Sequence, residues 1–137
     1  MEYRVFSGRQ VFAFVFLIGN LVAATPFAAE TAESASSVQV VIDYGDGCEK
    51  HFKAIAWKEG MTVLDALEAA QKHPRGIKIV YRGKGATAFL TQIDELENEG
   101  SGRNWIYRVN KELASKSFAV CALKAGDTVL WKFGEYR

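Results

Sequence analysis

The chain has 137 residues, 49% of them hydrophobic, and its 17 basic residues against 16 acidic ones leave a formal net charge of +1. So even a balance gives no electrostatic footprint for nucleic acid or for an anionic membrane surface, and both are set aside as partners. The length suits one domain with one modest core.

Residues 1–29 read as a signal peptide. Arg4 and Arg9 make a basic start, and the apolar run from Val11 to Ala24 is broken by Gly19 and Asn20. It is too short to span a bilayer core about 30 Å thick. Small residues suited to cleavage occur at Val22-Ala23-Ala24 and again at Ala28-Ala29. The rival reading of the same run is an uncleaved anchor helix. No cysteine stands near its end, which argues against a lipid anchor. The expected localisation is therefore export, to the periplasm, the cell surface or the medium, without stable membrane insertion after cleavage. Residues 30–37, Glu-Thr-Ala-Glu-Ser-Ala-Ser-Ser, are small and polar and read as a flexible linker. Residues 38–137 are left as the folded domain.

Within it, Val38, Val40, Ile42 and Tyr44 alternate as one face of a strand. Gly45-Asp46-Gly47 is a tight-turn signal leading into a second strand, Cys48 to Trp57, with Phe52, Ala54 and Ala56 on one face and His51, Ile55 and Trp57 on the other. Thr62 suits a helix N-cap, with Asp65 placed to reach back to it. Val63, Leu64, Leu67 and Ala70 form one helical stripe, Lys72 and His73 suit the C-terminal dipole, and Pro74 stops the helix.

Ile77 to Tyr81 and Ala86 to Gln92 read as short strands around Arg82-Gly83-Lys84-Gly85, and the acidic stretch Asp94 to Gly102 as a surface loop. Trp105, Tyr107 and Val109, and later Val129, Trp131 and Phe133, alternate again as strands. A helical turn is expected between them, near Ala114 to Phe118. Two strands, a helix and further strands make an α+β fold.

Catalytic chemistry finds little support. His51 lies three residues from Cys48 on a strand, hence on the opposite face, and His73 sits at the far helix end, so no Cys–His pair is indicated. Asp43, Asp46 and Glu49, and separately Asp94, Glu95, Glu97 and Glu99, are acidic clusters without calcium-loop spacing. Gly83-Lys84-Gly85 lacks the spacing and following helix of a phosphate loop. The aromatic residues are the stronger candidates, because Tyr81, Phe89, Trp105, Tyr107, Trp131 and Phe133 are many for a small core to hide. A ligand-binding set of Trp105, Tyr107, Phe89 and Tyr81 is expected, with no catalytic and no metal residues. Since Trp105 and Tyr107 share a face, core packing and ligand exposure compete there.

Four segments together carry a resemblance: Ile42 to Gly47, Gly60 to Leu67 (Gly-Met-Thr-Val-Leu-Asp-Ala-Leu), Asn104 to Asn110 (Asn-Trp-Ile-Tyr-Arg-Val-Asn) and Gly126 to Phe133 (Gly-Asp-Thr-Val-Leu-Trp-Lys-Phe). In that order they resemble the transcobalamin-like C-terminal domain family, over about residues 38–137. The resemblance implies a β-grasp-like mixed sheet on one helix, with the first and last strands parallel. In that topology Cys48 and Cys121 lie toward opposite ends of the sheet, roughly 16 Å apart at about 3.3 Å per residue, against a disulfide limit of about 7 Å. Two free thiols are expected.

The resemblance also implies a non-catalytic module that binds a small-molecule ligand or an envelope protein. Cobalamin is a candidate ligand, held as a half-site that a partner completes, and no other cofactor is expected. A structural cell-surface role through an exposed strand edge is the remaining alternative. At Lys111 the sequence departs from the glycine of the family pattern, which disfavours a type I′ turn there.

Overall fold

The computed structural model describes residues 36–136. The expected signal peptide and all of the linker before Ser36 lie outside them. Among the described residues eight segments form strands, β1 Ser37–Asp43, β2 Glu49–Ala56, β3 Ile79–Arg82, β4 Phe89–Ile93, β5 Leu96–Glu97, β6 Asn104–Val109, β7 Glu112–Leu113 and β8 Thr128–Gly134, and an isolated bridge joins Thr62 to Ala122. The helix α1 is Val63–Lys72. One sheet has the order β2-β1-β8-β6-β7 and a second, smaller one β3-β4-β5. The fold is α+β, as expected.

β1 and β8 run parallel, with Val40 opposite Val129 and Ile42 opposite Trp131. This is the arrangement the resemblance implies for the first and last strands. Alternation explains the burial: Val38, Val40 and Ile42, then Val129, Trp131 and Phe133, then Trp105 and Tyr107 all turn to the same side of the large sheet and are buried. α1 covers that side over β1 and β2, while β4 contributes Leu90 and Ile93 toward β6.

The α1 cap forms as expected. The Asp65 amide donates to Thr62 Oγ1 at 3.3 Å, and the Thr62 amide donates to Asp65 Oδ2 at 2.8 Å, so two otherwise unpaired first-turn donors are satisfied. Val63, Ala66, Leu67 and Ala70 are buried, and Leu64 packs at the margin.

Four local expectations are corrected. Between Val38 and Val40 the β1–β2 register shifts, Val38 facing Ile55 but Val40 facing Phe52. The extra β2 residue is a bulge that breaks the alternation, so Ile55 joins Phe52 against the core instead of opposing it. Ala86 lies in a 3-10 turn, Gly85–Thr87, and the strand there begins only at Phe89. The stretch from Asp94 is not all loop: β5 pairs Ile93 with Leu96 across a turn in which Asp94 takes a φ of 49°. Residues 114–118 form no helical turn, because the chain first hairpins back as β7 and then turns at 118–120.

That hairpin also overturns the expectation at Lys111. Asn110 and Lys111 both adopt positive φ, 49° and 73°, the left-handed pair of a two-residue hairpin turn. The Asn110 side chain helps to fix it, donating to Asp127 and accepting from the Thr128 amide.

At the other end of the sheet, the Tyr44 hydroxyl and Lys50 Nζ both meet Asp94 Oδ2, and the Lys78 amide donates to its Oδ1 at 2.8 Å. Burial works to raise the Asp94 pKa, but these donors outweigh it and hold the carboxyl below its ordinary range. Gly45 lies over the end of β8 with φ of 75°, where a Cβ would collide with the Phe133 carbonyl. Both cysteines are free, Cys48 exposed and Cys121 half-buried.

Candidate functional site

An open groove of about 860 Å³ runs between β4 and the free edge of β6, closed at one end by residues 97–100 and at the other by residues 113–118. Its aromatic surface comes from Phe89, Trp105, Tyr107, Phe118, Trp131 and Tyr136. Three of the four expected ligand residues therefore line one cavity. Tyr81 does not; its ring packs edge-on against Phe118 at 5.6 Å, supporting the wall from behind.

The three liners differ in kind. Trp105 and Tyr107 are only 5% and 8% exposed and form the floor, so core packing is their first role. Phe89 is 49% exposed and stands on the rim, with the Arg82 guanidinium 5.4 Å from its ring centre. Trp105 and Tyr107 face Phe133 and Trp131 across the β6–β8 pair, at ring separations of 5.3 and 4.8 Å.

Side chains far apart in sequence hold the two walls together. Asn98 accepts from the Trp105 amide and donates to the Leu90 carbonyl, both at 2.8 Å, and so ties β6 to β4. Ser117 Oγ donates to the Ala88 carbonyl at 2.7 Å at the opposite end. The Trp105 indole donates to the Leu96 carbonyl at 2.9 Å, and the Tyr107 hydroxyl to that of Lys116. Sequence reasoning missed Asn98, Ser117 and Phe118. Asn98 offered one faint signal, a neutral amide between Glu97 and Glu99.

Trp131 is the exception to this pattern. It is 2% exposed and lines the groove, yet its indole Nε1 has no hydrogen-bond partner among the described residues. A buried donor left unpaired is unfavourable by about 1–3 kcal/mol, so it calls for an explanation.

Burial, and then the neighbouring Cys121, push the Tyr107 phenol well above its ordinary pKa, which keeps it a neutral donor. Neither histidine lines the groove. His51 pairs with Glu49 at 2.7 Å on exposed β2, and His73 packs against Phe52. In the acidic stretch, the backbone amide and guanidinium of Arg103 both hold Glu99 and lower its pKa. Among the described residues no group of three or more His, Cys, Asp or Glu side chains is placed to hold a metal ion. A smaller cleft of about 410 Å³ on the outer sheet face is lined by Arg103, Arg108 and Lys132, of which Lys132 is paired with Asp43 at 2.9 Å.

A family model described as a domain of unknown function, DUF4430, matches residues 60–135, which include α1, β8 and every groove residue except Tyr136. No curated protein matches the chain. Among solved structures, that of a putative metal binding protein from Ruminococcus gnavus ATCC 29149 is similar, with a TM-score of 0.58 and 17% identity over 73% of this chain and 97% of that one. At that identity the likeness is one of fold.

Proposed function

The chain belongs to the DUF4430 family, and we propose that it is an exported, non-catalytic binding module whose site is the groove between β4 and β6. One observation carries this reading. The groove joins an exposed aromatic rim at Phe89 to a rigid aromatic floor, while its side-chain hydrogen-bonding groups mostly serve to hold the walls. Concave, mostly apolar surface with a few placed polar groups is what ligand sites use. Export rests on the basic and apolar start of the sequence.

The metal binding ascribed to the Ruminococcus gnavus protein is not carried over, since Asp94 and Glu99 are already engaged by protein donors. Cobalamin is the second reading. It draws on the transcobalamin-like sequence segments and on the openness of the groove, which can shelter one face of a flat macrocycle while a partner covers the other. Titration of the full chain with a cobalamin, followed by calorimetry, tests it; no heat at high ligand concentration excludes it.

The primary reading is tested by screening a panel of small aromatic compounds against the isotopically labelled full chain and mapping amide shifts. Shifts gathered on Phe89, Asn104 to Tyr107 and Leu113 to Phe118 are expected. Shifts gathered instead on β2 or on the outer face at Arg108 and Lys132 would place the site elsewhere.

A further inference from the structure

Most polar side chains of the groove are already engaged by the fold. Those of Asn98, Asn104, Trp105, Tyr107 and Ser117 donate to backbone carbonyls, and Thr87 and Thr91 donate to the carbonyls of Lys84 and Val80. Trp131 Nε1 is sealed from solvent within the floor and faces no occupant. What is left for a ligand are the exposed side chains of Arg82, Ser115, Lys116, Glu97 and Tyr136, which hold no hydrogen bond or ion pair among the described residues.

The cationic members of that set gather at one end. Arg82 stands opposite Phe89 on the β3–β4 pair, with its guanidinium against the Phe89 ring. Phe89 follows Ala88, whose carbonyl accepts from Ser117, the neighbour of Lys116. Arg82, Ser115 and Lys116 therefore border the same corner, beside the exposed rim, while Glu97 belongs to the segment that closes the opposite end. Two cations against one carboxylate leave the groove a single positive charge in excess. Its volume of about 860 Å³ lies within the range of small-molecule pockets, about 300–1,000 Å³.

We propose that the groove binds a small aromatic monocarboxylic acid, its rings against Phe89 and the Trp105–Tyr107 floor and its carboxylate turned to Arg82 and Lys116. This rests on the groove being the binding site and names the chemical class of its ligand. The guanidinium fork matches the two oxygens of a carboxylate. An exposed ion pair contributes little by itself, but resting on Phe89 restrains Arg82, and a ligand ring seated beside it displaces the water that would screen the pair. A neutral aromatic compound leaves both cations unanswered, and a dianion exceeds the single charge in excess.

The test titrates the isotopically labelled full chain with para-phenylbenzoate and, separately, with its uncharged amide, which keeps the rings and removes the charge. The expected result is that the acid binds at least about five-fold more tightly than the amide, with movement of the Phe89 and Lys116 amides and of the Arg82 side-chain N–H. Arg82→Gln and Lys116→Gln should each reduce that preference and together remove it, whereas Glu97→Gln, at the far end, should not reduce it. All three side chains are exposed, so each variant should keep the folded amide spectrum. Equal binding of acid and amide, a preference that the double variant retains, or one that Glu97→Gln removes, overturns the proposal. If both compounds shift the groove signals equally, the groove remains the site and only the acid assignment fails; if neither shifts them, both fail.

Discussion

Asn98 accepts the Trp105 amide proton at 2.8 Å while the same side chain donates to Leu90, so one amide joins the two sheets across the floor of the groove. Removing it leaves a donor on β6 and an acceptor on β4 unpaired. Asn98→Ala should destabilise by about 1–3 kcal/mol in urea unfolding. Asn98→Asp keeps the acceptor for Trp105 but sets a carboxylate against the Leu90 carbonyl, so it should be no better than alanine. Full stability in either variant would show that the clasp does not form.

Lys111 occupies a left-handed backbone position at φ of 73° that glycine adopts without a Cβ penalty. Lys111→Gly should therefore stabilise by roughly 1 kcal/mol, the strain relieved exceeding the extra flexibility of the unfolded chain. Thermal unfolding checks this, and a lower midpoint in the variant would contradict the turn.

Asp94 is held below its ordinary pKa of 3.8 by the donors of Tyr44, Lys78 and Lys50, against the effect of burial. A depressed carboxyl stabilises the fold at pH above its ordinary value, and that contribution is lost as pH falls through the lower folded-state value. Asp94→Asn should thus be less stable than the wild type at neutral pH, with the gap narrowing once the pH drops below about 4. Denaturant unfolding across this range decides it; a gap that stays constant would mean the charge is not what matters.

Trp105 is a floor residue enclosed by Tyr44, Phe133 and the Leu96 carbonyl. Trp105→Ala should remove about 3–5 kcal/mol of stability, the figure for a core aromatic. A change under about 1 kcal/mol would instead describe a surface platform.

The sheet was legible in the sequence because alternation is a local signal: Val38 to Ile42, Trp105 to Val109 and Val129 to Phe133 declare their buried face within a few residues. The Thr62–Asp65 cap is equally local. Shifts of register are not. The bulge at Phe52 to Ile55 depends on how β2 meets β1, and another between Val80 and Tyr81 accompanies the placement of Tyr81 against Phe118 instead of in the groove. The groove was half legible. Its aromatic floor followed from strand pattern, whereas its walls depend on bonds such as Ser117 to Ala88, across 29 positions of sequence, for which no local pattern exists.

Phe89 offers the most direct measurement of whether the groove binds. Its ring is exposed on the rim and outside the core, so Phe89→Ser should alter unfolding stability by less than about 0.5 kcal/mol. The same variant should weaken the binding of whichever aromatic compound shifts the wild-type groove signals by at least about ten-fold, or about 1.4 kcal/mol. Affinity and stability measured side by side on the two proteins give the answer: unchanged stability with lost binding is the predicted result, and unchanged affinity would contradict the groove as the functional site.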